Sequence, residues 1–497
     1  MTYEREPFVG SRRQFLKYGA GSALGIGLTA TGIPLFRGFT STASAAPATT
    51  PNLVTTGYSV PADPAARTLV VLQLGGGNDG LNTVIPYKDP LYAQLRPTIG
   101  QSATAVLPIS DSLALHPNLG GLHGLWDSGN LAVVEGVEYP TPNFSHFRGT
   151  EIWMTADDQN VGSLGWLGHA LDHLSNHPSL VAASLGVTTP RALVGMQPTN
   201  IALGGSLSGF VYRPVGRVDP GAVSAIYDYM NTVTPATSRY KKLVTASHTI
   251  AQDAMAGVAK AASGYTPAVK YPNSQLAAGL QTIAQLIHGN VGARVLYLAT
   301  GGFDTHSNER STHDGLMQTL GDGLAAFWQD LTVHGHAESV ALMTFSEFGR
   351  RPGENASRGT DHGSAAPLFV MGGAIKGGVY GAAPNLASLN NGNLAVQHDF
   401  REVYAALLQN WLGFTESDIL PYGPYQPLPL FAPPAPLAAP PPRPNPPRWD
   451  RPVARQTRRR SDGPAPVRYS GRQAGPPPHP SRPDGRREQR QTNTLTR

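Results

Sequence analysis

Asp304 and His306 stand two residues apart in Gly301-Gly-Phe-Asp-Thr-His306, the spacing that places side chains on one face of an extended chain. A carboxylate and an imidazole so placed can chelate one ion. Three other segments carry donors of the same kinds: Asp79 in Gly75-Gly-Gly-Asn-Asp-Gly80, Glu347 in Ser346-Glu-Phe-Gly-Arg350, and Asp361-His362 in Gly359-Thr-Asp-His-Gly363. Mixed oxygen and nitrogen donors suit Zn, Mn or Fe, whereas an oxygen-dominated set suits Mg or Ca. The chain contains no Cys, which excludes thiolate ligands, a thiolate nucleophile and a disulfide framework. The triple glycine lacks the Lys-Ser/Thr of a P-loop. Each residue also has a plainer use: Asp79 or Asp304 in a turn, Glu347 paired with Arg350 one helical turn on. Their joint occurrence is what points to a metal.

The elements that must position these residues are legible from apolar runs. Thr68–Leu74, 131–134, 295–299, 340–345 and 368–371 read as strands buried on both faces. Helical periodicity predicts helices over 222–230, 242–261, 274–288, 313–333 and 400–412. Alternation of the two predicts an α/β fold, a mostly parallel sheet sandwiched by helices. In such sheets the site lies beyond the carboxyl ends of the strands. Asp79 follows 68–74, Asp304 and His306 follow 295–299, and Glu347 and Arg350 follow 340–345, while Asp361 and His362 precede 368–371. Residues 155–220 show no clear period.

The net charge of +5 is unevenly distributed. Arg443 to Arg497 holds 14 Arg against 4 acidic residues, whereas residues 46–442 hold 19 basic and 27 acidic ones. The basic balance therefore belongs to the ends, and the body has no nucleic-acid-binding character. Residues 1–45 read as a twin-arginine signal peptide: Ser11-Arg-Arg-Gln-Phe-Leu-Lys17, a mildly apolar Gly/Ala-rich run, and Ala43-Ser-Ala45 before the expected cleavage. The glycines interrupting that run argue against a retained anchor. The expected route is export through the twin-arginine translocase to the periplasm, cell surface or medium. Residues 46–424 form the predicted α/β domain. Residues 425–497, rich in Pro and Arg, read as a disordered tail.

The motifs also resemble a family. Leu74-Gly-Gly-Gly-Asn-Asp-Gly-Leu-Asn-Thr83, Leu115-His-Pro117, Ser145-His-Phe147, Gly301 to His306, Phe345 to Arg350 and Thr360-Asp-His-Gly363, in that order, resemble exported bacterial proteins of the domain of unknown function 1501 (DUF1501). The family looks like a distant member of the alkaline phosphatase and sulfatase superfamily. That resemblance implies an α/β sandwich and a two-metal site hydrolysing phosphate or sulfate esters. It assigns metal roles to Asp79, Asp304, His306, Glu347 and His362, with Asp361 in reserve where Phe348 replaces an expected imidazole. The absence of Cys excludes a formylglycine nucleophile. Ser145 is the first candidate, ahead of the helical stretch from Phe147, with His146 or Arg148 assisting; Thr83 is the second, and the plain alternative for Ser145 is a helix N-cap. Arg350 could clamp an ester oxyanion. The expected substrate is a small anionic ester or a polymer, and the resemblance suggests a DUF1800-family partner. The alternative is a non-catalytic exported binding protein that retains the fold, with a structural metal.

Overall fold

The computed structural model describes residues 61, 63–174, 180–186, 188–197, 200–203, 207 and 239–431. The expected signal peptide, the 222–230 helix and the chain beyond 431 lie outside the described residues. Among the described residues, no helix is long and apolar enough to cross a membrane.

Among the described residues the main sheet has nine strands: β1 (Thr68–Leu74), β2 (Leu131–Glu138), β3 (Ala182–Leu185), β4 (Asn200–Leu203), β5 (Val295–Thr300), β6 (Val340–Phe345), β7 (Ala366–Gly372), β8 (Gly378–Tyr380) and β9 (His398–Asp399). Their order is β8-β2-β7-β6-β1-β5-β3-β4, with β9 also pairing with β2. Every pairing is parallel except those of β7, which is antiparallel to both β2 and β6. The sheet is thus α/β and mostly parallel, as the apolar runs predict.

Side-chain alternation splits the core in two. Val70, Leu72 and Leu74 of β1 face one cluster with α1 (Gly120–Asp127), α3 (Gln275–His288) and α4 (Glu309–Val333). Leu69 and Val71 face the other, with α2 (His146–Thr155) and α5 (Phe400–Ala406). Two-sided burial is why these strands read as continuous apolar runs rather than alternating ones.

The single antiparallel strand matters for the site. The chain leaves β1, β2, β5 and β6 at one edge of the sheet, and because β7 runs the other way, it enters β7 at that same edge. A two-stranded antiparallel ladder, Gly349–Arg350 with His362–Gly363, pairs Arg350 with His362. Gly76, at φ 126°, lets the β1 exit loop touch the β5 exit loop, since a Cβ there would lie 2.4 Å from the Asp304 amide nitrogen. The triple glycine therefore permits close approach of two backbones.

One expected boundary needs correction. Residues 425–431, assigned to the tail, pack on the body. Leu430 is 0% exposed, Lys376 N–H donates to its carbonyl at 2.8 Å, Phe431 stacks on Trp411, and the Arg401 guanidinium lies 5.0 Å from the Tyr425 ring. The spaced prolines conceal a short apolar segment that has a groove to fill.

Candidate metal site

At the loop-bearing edge, three imidazoles converge on one carboxylate. Asp304 Oδ1 lies 3.1 Å from His306 Nε2 and 3.3 Å from His362 Nε2, and Asp304 Oδ2 lies 3.4 Å from His146 Nε2. His306 and His362 approach through their Nε2 atoms at 2.9 Å. His146, Asp304 and His362 each offer one ligand atom, all within 4.8 Å of one another. Asp304 is 47% exposed, so an ion can reach it from solvent.

What the opposite ring nitrogens do decides the chemistry. His146 Nδ1 is 2.8 Å from Glu347 Oε1, His362 Nδ1 is 2.8 Å from the Phe144 carbonyl, and His306 Nδ1 is 3.6 Å from Asp361 Oδ1. Glu347 and the Phe144 carbonyl are only acceptors, so in the neutral rings of His146 and His362 Nδ1 is the protonated nitrogen and Nε2 presents a lone pair. The 3.6 Å gap between His306 Nδ1 and Asp361 is too long to fix that ring in the same way. Two such lone pairs beside an anionic carboxylate, with Arg350 donating to one of its oxygens, leave acceptors that a further cation would satisfy. An outer acceptor on the far ring nitrogen is how metal-ligating histidines are oriented. Ligand atoms about 2.0–2.1 Å from a tetrahedral ion are separated by about 3.3 Å, which the 3.3 and 3.4 Å separations around Asp304 match. The donor set is therefore one that could hold a divalent ion.

Protonation follows from surroundings. Burial holds the His362 pKa below that of an ordinary imidazole, keeping the ring neutral. The hydrogen bond to Glu347 raises His146, outweighing partial burial. Burial opposes ionisation of Asp304, but the hydrogen bond and positive charge of Arg350 hold it below the usual carboxylate range.

The other expected site residues are placed differently. Glu347 is buried and accepts from Gly76 N–H at 2.9 Å as well as meeting His146, so it braces the cluster from outside. Asp361, 60% exposed, stands behind His306 and accepts from Asn355. Arg350 is fully buried and donates to the Gly76, Gly77, Phe303 and Thr360 carbonyls and to Asp304. Those bonds tie four loop segments together, and the oxyanion clamp expected of it has no free fork. Ser145 occupies the N-cap position of α2 without a side-chain cap bond, and it is exposed. Phe348, at the position of the missing imidazole, packs under His362 and His146 at centroid distances of 4.3 and 4.9 Å.

Asp79 departs from the expected convergence. It is fully buried and held in bidentate fashion by Arg96, a partner the sequence reading missed. Although burial opposes it, Arg96 and a hydrogen bond from Glu309 keep its pKa far below the ordinary value. Burial and the neighbouring Asp79 push Glu309 up to about 9, so at neutral pH Glu309 carries a proton. Thr360 donates to its other oxygen at 2.7 Å. Burial lowers His313 to about 4, and its Nε2 meets Asn78 Oδ1 at 3.2 Å. Thr83, the second nucleophile candidate, belongs to this interior group, donating to the Asp79 carbonyl at 2.8 Å. His146 is the opposite case: expected to assist Ser145, it stands among the cluster's donors, and its place in Ser145-His-Phe147 was the available signal.

An α/β sheet with an imidazole–carboxylate cluster beyond its strand ends defines the class, that of an exit-edge site suited to a divalent cation. Residues 132–410 match the profile of the family described as protein of unknown function (DUF1501), and the chain belongs to that family. No curated protein matches it. Solved structures similar to it include the lipoteichoic acid synthase LtaP of Listeria monocytogenes, at 10% identity over 74% of this chain and 78% of that one, TM-score 0.31. Another is the alkaline phosphatase of the Antarctic bacterium TAB5, at 9% identity over 63% and 94%, TM-score 0.27. A third is the PsFucS1 sulfatase of Pseudoalteromonas sp., at 13% identity over 70% and 68%, TM-score 0.29. Scores of this size leave the fold assignment resting on the sheet itself.

Proposed function

We infer that the chain is an exported, metal-dependent hydrolase of phosphate or sulfate esters, with Asp304, His306, His362 and His146 as the ion's ligands. The observation that carries this reading is the set of three Nε2 atoms facing Asp304, with the Nδ1 atoms of His146 and His362 held by acceptors. The ester class comes from the motif resemblance to alkaline phosphatases and sulfatases. A bound divalent ion would polarise the ester oxygen and favour ionisation of a nucleophile. In this reading Ser145 is the nucleophile. Its hydroxyl is not consumed as a cap, and it stands at the start of a ten-residue helix, whose first-turn N–H groups favour an anion. Glu347 holds His146 through Nδ1, which leaves Nε2 for the ion. The twin-arginine route and a DUF1800-family partner belong to the same proposal.

A second reading, an exported binding protein with a structural ion, is favoured by Arg350: every arm of the guanidinium is committed to loop carbonyls and Asp304. Metal analysis of protein matured in its native host, followed by phosphate and sulfate ester panels, separates the two. Stoichiometric metal with turnover lost in Ser145→Ala supports the hydrolase. Stoichiometric metal without turnover supports the binding protein, and metal content unaltered in Asp304→Ala overturns the ion site in both.

A further inference from the structure

A second group of imidazoles lies at the opposite edge of the sheet. His288 ends α3, ahead of β5, and His334-Gly335-His336 follows α4, ahead of β6. Since β5 and β6 both run parallel to β1, these residues gather where strands begin, across the sheet from Asp304. His288 Nδ1 and His336 Nε2 are 3.4 Å apart. That is longer than the roughly 2.7–3.2 Å of good hydrogen bonds, and it matches the separation of about 3.3–3.4 Å between two nitrogens bound at about 2.0–2.1 Å to one tetrahedral ion. All three rings are half-buried, open enough for an ion to enter.

The surroundings hold this arrangement. The His334 ring packs edge-on against His288 at a centroid distance of 4.6 Å, and its Nδ1 lies 3.0 Å from both Asp330 Oδ1 and the Asp330 carbonyl. Asp330 is fully buried and is fixed by the Tyr271 hydroxyl and the Ala268 N–H, each at 2.8 Å, and by the Tyr265 hydroxyl. The wall beside the pair is thus braced from the interior.

We propose that His288 and His336 form a second site for a late first-row divalent ion such as Zn2+, with water completing the coordination and His334 as its wall. The ion would bridge the end of α3 to the turn after α4 and thereby clamp the two helices of one sheet face. Imidazole donors select Zn, Cu or Ni over Mg and Ca.

The test titrates Zn2+ into the folded chain carrying Asp304→Ala and His362→Ala, so that its outcome does not depend on the proposed ester hydrolysis. The expected result is one remaining equivalent of Zn2+, bound at least tenfold more weakly once His288→Ala or His336→Ala is added. In parallel, Cu2+ bound in that background should show hyperfine coupling to two imidazole nitrogens. Should the background variant fail to fold, the wild-type chain is compared with His288→Ala/His336→Ala, which should bind one equivalent fewer. Zn2+ binding that is absent from the background, or indifferent to both histidines, overturns the site.

Discussion

Around Asp79 every charge has its complement within the protein: Arg96 takes both carboxylate oxygens, Glu309 supplies a proton, and His313 stays neutral. Around Asp304 the compensation is incomplete. Arg350 covers one oxygen at 2.7 Å, and three imidazole nitrogens face the group, those of His146 and His362 with lone pairs directed inward. The same residue types thus make two kinds of object beyond the same strand ends. The buried one is closed and structural, since an uncompensated charge there would be costly. The half-exposed one is open toward a cation. Thr360 connects them, donating to Glu309 while its carbonyl accepts from Arg350 at 2.8 Å.

The largest expected effect tests the closed region. Arg96→Ala strands a buried carboxylate and should cost about 3–5 kcal/mol of unfolding free energy, measured by denaturant titration. Adding Asp79→Leu should restore much of it; no recovery would mean that Arg96 contributes through something other than charge. In the open region, Asp304→Ala should weaken divalent-ion binding by more than the roughly 10–100-fold that outer partners carry, while apo stability moves by about 1 kcal/mol or less. A large loss of apo stability would make Asp304 structural, like Asp79. Glu347→Gln keeps the shape but weakens the hold on His146, and calorimetry should show ion affinity reduced by about 10–100-fold.

Per pH unit, the smallest expected effect is a slope in stability. Glu309 has its folded pKa raised to about 9 from an ordinary 4.5, so its contribution is fully present below pH 4.5 and is lost as pH rises toward 9. His313, lowered from 6.5 to about 4, acts oppositely, with stability falling as pH drops from 6.5 to 4. The two offset each other in mildly acid solution. Above pH 6.5 the Glu309 slope stands alone of the pair, at up to about 1.4 kcal/mol per unit. Glu309→Gln should flatten stability between pH 7 and 9; an unchanged slope would remove the shared proton from the comparison.

The sequence made the open region legible because its donors sit in short motifs at the ends of apolar runs, and strand period and chain direction do the rest. It hid the closed region because Arg96 lies in no motif and meets Asp79 only through the fold. It hid the roles of individual nitrogens, which depend on the Phe144 carbonyl and on where Glu347 turns. Leu430 was masked by composition, its prolines suggesting disorder while one side chain fills a core position.

The reversed strand β7 has a temporal consequence. Asp304 and His362, both in contact with Arg350 or paired to it, join segments separated by long stretches of chain, and they meet the β1 exit loop at the edge where β5 and β6 flank β1. Contacts this distant in sequence form late. An ion-binding edge built this way is a readout of completed folding: a chain able to hold the ion has already assembled its sheet. Under the twin-arginine export proposed above, a route that carries folded cargo, that order would couple metal loading to readiness for export.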